Sequence, residues 1–196
     1  MMEWPASLVN DFARRRAVLL VGAGVSRHSS GKNGARPPTW ETFLRSAAED
    51  CPTLVEKHVF DAIDHGDYLH ACEWIKQRFD EAWPDYLRKV FQTPGYKPSA
   101  LHKSLVALDS RIVFSLNFDD IYERTANETP GSYIVKNYYD SDVSEFLRGT
   151  GRYIVKVHGT LNSPEGLIFT QRDYSKARIR NAPFYQALDA CLLTHS

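Results

Sequence analysis

Val18-Leu19-Leu20-Val21 is a run of branched apolar residues that passes directly into Gly22-Ala23-Gly24-Val25-Ser26. A short continuous apolar run suits a parallel strand covered on both faces. Gly22 and Gly24 then let the backbone turn tightly and come close to something large and charged. A helix opening near Val25 would offer its free N–H groups and dipole to a phosphate. The same residues also suit a plain buried strand and tight turn, because short glycine motifs recur without a ligand. On either reading the stretch calls for an α/β sheet.

The rest of the chain supplies that sheet. Strands are expected at Arg111–Leu116, Tyr133–Val135, Tyr153–Val157 and Leu167–Phe169, with helices at Ile121–Ala126, from Thr170 through Lys176, and at Ala182–Leu193. Strands alternating with helices imply a mostly parallel, Rossmann-like sheet with helices on both faces. Trp4–Arg16 reads as a lead-in helix with Arg14-Arg15-Arg16 in water at its end. Arg27–Pro38, rich in Ser, Gly, Asn and Pro, reads as a long loop, a mobile segment that orders over a bound ligand. Thr39, with Thr42 three residues on, reads as the N-cap of a helix carrying Trp40, Phe43, Leu44 and Ala47. Apolar i, i+3, i+4 spacing recurs in Val55–Ile63, Tyr68–Phe79, Pro84–Phe91 and Ser99–Leu108. Residues 39–108 are therefore expected as a helical subdomain inserted into a domain made of 1–38 and 109–196.

Composition narrows the class. The 196 residues carry 24 Lys plus Arg against 24 Asp plus Glu, and 43% are hydrophobic. A neutral, ordinary globular balance argues against direct nucleic-acid binding. No run approaches the ~18 apolar residues of a membrane span, and Met1-Met2-Glu3-Trp4-Pro5 lacks the basic head and apolar core of a signal peptide. Cys51, Cys72 and Cys191 are odd in number and far apart, which supports neither a zinc ribbon nor a disulfide framework. No metal is expected, and a cytoplasmic setting is the simplest fit.

Three polar groups stand at the carboxyl ends of three expected strands: the Gly22–Ser26 turn, Asn117 with Asp119, and His158 ahead of Gly159. Ligands bind at that edge of open α/β sheets. Each group also has a plainer reading. Asn117, Asp119 or Asp120 would cap the next helix, and His158 would close a turn. Together they suit a dinucleotide and a reacting bond.

Three segments carry a family resemblance. Gly22-Ala23-Gly24-Val25-Ser26 resembles the Gly-Ala-Gly-x-Ser motif of sirtuins. Ser115-Leu116-Asn117-Phe118-Asp119 resembles their Thr-Gln-Asn-Ile-Asp motif, and Lys156-Val157-His158-Gly159 resembles the segment with their catalytic histidine. The resemblance implies an NAD-binding Rossmann domain. It implies that Gly22, Ala23, Gly24 and Ser26 lie against the phosphates and the nicotinamide-side ribose. It implies that Asn117 positions the ribose or a water, that Asp119 holds the nicotinamide carboxamide, and that His158 is the general base. Trp40 would stand in for the phenylalanine that shields nicotinamide.

The departures redirect it. The acidic residue and arginine that follow the first motif in deacylases are absent from Arg36-Pro37-Pro38-Thr39-Trp40, and so are the four zinc cysteines. The chain is more similar to the sirtuin-like domains of bacterial anti-phage defence proteins. That resemblance implies an NAD+ glycohydrolase that releases nicotinamide and ADP-ribose and depletes cellular NAD in abortive infection. It also implies a sensor domain or partner (an Argonaute, an ATPase or a phage-sensing module) and an oligomer when active. An NAD-dependent protein deacylase and a non-catalytic NAD or ADP-ribose sensor stand as alternatives. Sirtuin-like domains commonly end with a glycine-rich strand turn at the adenine ribose. The expectation is therefore a domain cut short at its C-terminal end, near Leu192–Ser196.

Overall fold

Four short runs pair side by side to make the sheet. In the computed structural model, which describes residues 3–195, β1 (Val18–Val21), β2 (Ile112–Ser115), β3 (Tyr133–Asn137) and β4 (Arg152–Lys156) form a four-stranded sheet in the order β1-β2-β4-β3. Every pairing is parallel, with Val18 opposite Ile112, Ile112 opposite Tyr153 and Tyr133 opposite Arg152. Met1, Met2 and Ser196, on which the readings of the two chain ends partly fall, lie outside the described residues.

Helices lie on both faces and bury the two middle strands, but the edge strands are only partly covered. Leu20 of β1 is 59% exposed, against the expectation of a strand covered on both faces, and Ile134 and Val135 of β3 are also exposed. The helices, in chain order, are α1 (Ala6–Ala13), α2 (Ala23–Ser26), α3 (Trp40–Glu49), α4 (Lys57–Asp64), α5 (Tyr68–Phe79), α6 (Trp83–Phe91), α7 (Ala100–Ala107), α8 (Ile121–Asn127), α9 (Glu145–Arg148), α10 (Gln171–Arg180) and α11 (Ala182–Thr194). Strand side chains alternate between two cores. Ile112, Phe114 and Val155 pack with Phe146 of α9, Ala177 of α10 and Phe184 of α11. Val21, Val113 and Ile154 pack on the other face with Val106 of α7 and Tyr122 and Ala126 of α8. A third core joins α3 to α6 through Phe43, Leu44, Ile63, Ile75 and Leu87, and takes in Phe118, Leu161, Leu167 and Phe169 from the sheet side.

The helix starts follow their local chemistry. At Thr39 and at Thr170 a capping box closes, with Thr42 and Asp173 as the reciprocal partners. One expected strand is absent. Leu167–Phe169 is extended and buried but joins no ladder. Leu167 and Phe169 turn into the helical core and Ile168 into the sheet core. The alternation is that of a strand, but the segment threads a seam between two layers. The Ile168 N–H donates to His158 O, just past the end of β4.

Candidate active site

β1 ends at Val21, and the chain turns at Gly22 into α2, which opens at Ala23, two residues before the expected start, and lasts a single turn. A one-turn helix carries little macrodipole, so the turn's value to a ligand lies in its backbone shape. Gly24 has helical backbone, and a Cβ built on it meets nothing within 4 Å. Neither the protein's packing nor its backbone geometry calls for glycine there.

The polar groups past β1 and β2 form one network. Asn117 is 7% exposed. Its Nδ2 donates to Gly22 O at 3.0 Å and to Ser26 Oγ at 2.9 Å. Gly22 O can only accept, so the amide orientation is fixed and Oδ1 is the group left uncommitted. Ser26 Oγ passes the chain on, donating to Asp119 Oδ2 at 2.8 Å. Asp119 Oδ1 accepts from Ile121 N–H, the first amide of α8, at 3.1 Å. The capping reading of Asp119 is therefore real, and the same carboxylate also belongs to the site network.

His158 follows β4 by two residues. Its Nδ1 lies 3.1 Å from Leu116 O and its Nε2 2.9 Å from the Tyr174 hydroxyl. Burial pushes its pKa below the ordinary histidine value, and the bond to Leu116 O opposes this. Gly159 beside it has φ +80° and is packed against the backbone of Gly166, so only glycine suits the turn.

These groups share a cavity of about 240 Å³. Gly22, Ala23, Ser26, Asn117, Asp119 and His158 line it, and so does Trp40. Of the residues singled out in the sequence, Gly24 lies off its wall. Sequence reasoning missed the apolar side, where Phe43, Phe91, Phe118 and Phe169 line the cavity. Phe118 and Phe169 stack at 4.1 Å, and Trp40 stands edge-on to Phe169 at 5.8 Å. Their aromatic character was the available signal, but each reads equally well as core. Typical ligand pockets run ~300–1,000 Å³, so a cavity of this size has room for one ring or group of a larger ligand and not for the whole of it. Among the described residues no group of three His, Cys, Asp or Glu is placed to hold a metal ion, and no helix is long and apolar enough to cross a membrane.

Residues 111–196, which begin just before β2, match the SIR2-like domain family. Over 187 residues the chain is also 22% identical to NAD(+) hydrolase ThsA of Acinetobacter baumannii, an alignment that covers 95% of this chain and 36% of that relative. The chain thus spans about a third of the length of the curated relative it matches.

Proposed function

We propose that this chain is an NAD+ hydrolase, with NAD+ as its substrate, that releases nicotinamide and ADP-ribose. The observation that carries the reading is the convergence of the glycine turn, Asn117, Asp119 and His158 on one cavity walled by aromatic rings. The likeness to an NAD(+) hydrolase over nearly the whole chain supports it. The free Oδ1 of Asn117 suits a water or a ribose hydroxyl, and Asp119 brings negative charge beside a site where cationic character develops. Trp40, Phe118 and Phe169 supply an apolar aromatic wall for a nicotinamide ring. Open space beside Gly24, where a side chain would strike nothing of the protein itself, is the space a pyrophosphate would use.

In the reaction, water held by Asn117 gives its proton to His158 Nε2 as its oxygen bonds to the anomeric carbon. The electron pair of the broken C–N bond leaves on the nicotinamide nitrogen. We propose further that hydrolysis serves NAD depletion in anti-phage defence, in the cytoplasm and under the control of a sensor domain or partner, a role that rests on the family resemblance alone.

The test is nicotinamide release from NAD+ by the protein and by Asn117→Ala and His158→Ala. Both substitutions are expected to lower the rate at least ~100-fold, the usual worth of a positioned acid–base group. Activity that survives both sinks the reading. Gly24→Ala separates binding from folding. Its melting temperature is expected to hold or rise, because alanine favours helix, while turnover falls. Undiminished turnover in Gly24→Ala would remove the glycine turn from the site.

A further inference from the structure

Both ring nitrogens of His158 are occupied by the protein itself. Leu116 O can only accept, so Nδ1 carries the ring hydrogen. The lone pair of the neutral ring is then on Nε2, and the Tyr174 hydroxyl, 2.9 Å away, donates to it. His158 lines the cavity and Tyr174 does not. The base thus borders the cavity while its one basic nitrogen is spent on a group outside it. A water in the cavity has no nitrogen to give its proton to until Tyr174 lets go.

We infer that Tyr174 is a latch, its phenol holding His158 in a resting arrangement that is released when α10 moves the hydroxyl off Nε2. The inference rests on the hydrolase reading above and adds its control. The latch is mechanically connected. Tyr174 lies in the first turn of α10, directly after Asp173, the reciprocal partner in the Thr170 capping box. Asp173, 17% exposed, also pairs with Lys76 of α5 at 2.9 Å. A shift of the α3–α6 layer therefore pulls on the turn that aims Tyr174. The ring itself packs against the core between the sheet and α9–α11, so removing the hydroxyl alone keeps the packing.

Tyr174→Phe is the test, with His158→Ala as its companion. The phenylalanine variant is expected to melt where the wild type does and to hydrolyse NAD+ about three- to tenfold faster, the worth of one neutral hydrogen bond. Its His158 Nε2 15N resonance is expected to move toward that of an unbonded ring nitrogen. An equal or slower rate, with His158→Ala inactive, overturns the latch and leaves Tyr174 as a group that orients the ring. If His158→Ala stays active, or if no form of the protein hydrolyses NAD+, the hydrolase reading fails. The latch is then decided by the resonance, and an Nε2 signal identical in wild type and Tyr174→Phe overturns it.

Discussion

Asn117 carries more of the site than its size suggests. Its two amide hydrogens join the turn after β1 to the end of β2, and its oxygen is left for a ligand. His158 is the other decisive residue, and its environment sets a pH dependence. Burial holds the imidazole below its ordinary pKa, so the neutral, basic form persists to lower pH than ~6.5. The acid limb of kcat/KM is expected below pH 6.5, and a limb at or above that value contradicts the role of a buried base. The same shift has a stability sign. Below about pH 6.5 the unfolded histidine binds a proton that the folded one refuses, so this group's contribution weakens as pH falls. Asn117 and His158 stood out in the sequence because each lies two residues beyond an apolar strand, and Asp119 because it follows Asn117 by two. Tyr174 was not, because its relation to His158 exists only in space, through a loop that returns α10 to the end of β4. The aromatic wall was hidden for a different reason: Phe43, Phe118 and Phe169 fill the core and line the cavity with the same rings.

Among elements, the join between β4 and α8 is the most exacting. Lys156 ends β4, and its side chain is 3% exposed. Its Nζ lies 2.6 Å from Glu123 Oε1 of α8 and donates to the Asp119 carbonyl. Burial pushes the Glu123 pKa up, and the ammonium of Lys156 opposes that rise. This buried pair ties the helix and the Asn117–Asp119 turn to the sheet. Breaking half of it leaves a lone buried charge, so Lys156→Met is expected to lose roughly 3–5 kcal/mol in urea unfolding. Adding Glu123→Leu is expected to recover most of the loss, since an apolar pair of similar volume is often neutral there. A double variant as unstable as the single one would show that the Asp119 contact, and not the ion pair, holds the join. The element boundaries were readable where side chains cap them, at Thr39 and Thr170. Leu167–Phe169 failed because alternation reports two-sided burial and says nothing of a partner strand. Lys156 gave no sign of its pairing because a lysine inside a strand reads as solvent-facing until Glu123 is folded beneath it.

At the scale of the whole molecule, the cavity sits where two layers meet. Its polar residues come from the carboxyl edge of the sheet, while Trp40, Phe43 and Phe91 come from α3 and α6. Pro37 and Pro38, at the end of the long loop, complete the rim. The start of that loop is pinned: the Lys97 N–H donates to Ser30 O and the Lys32 N–H to Pro94 O. The stretch from Asn33 to Pro38 is tied more locally, the Ala35 carbonyl accepting from the Gly31 N–H and the Arg36 carbonyl from the Tyr96 hydroxyl at 3.4 Å, and it is the part expected to respond when the cavity fills. A ligand lodged there touches both layers and the loop at once, so it stabilises their joint arrangement and not one surface. At 100 times its Kd, such a ligand adds about 2.7 kcal/mol to the folded state. NAD+, supplied to a His158→Ala variant so that it is not consumed, is expected to slow hydrogen exchange at Asn33–Pro38 and in the first turn of α3, and to quench Trp40 fluorescence. Exchange in α1, which buries none of its residues, should stay as it was, because fraying there needs no opening of the seam. Protection confined to the Gly22–Ser26 turn would place the ligand on the sheet edge alone and deny the helical layer a part in binding. Equal exchange at Asn33–Pro38 and in α3 with and without NAD+ would likewise refute a cavity that closes across two layers.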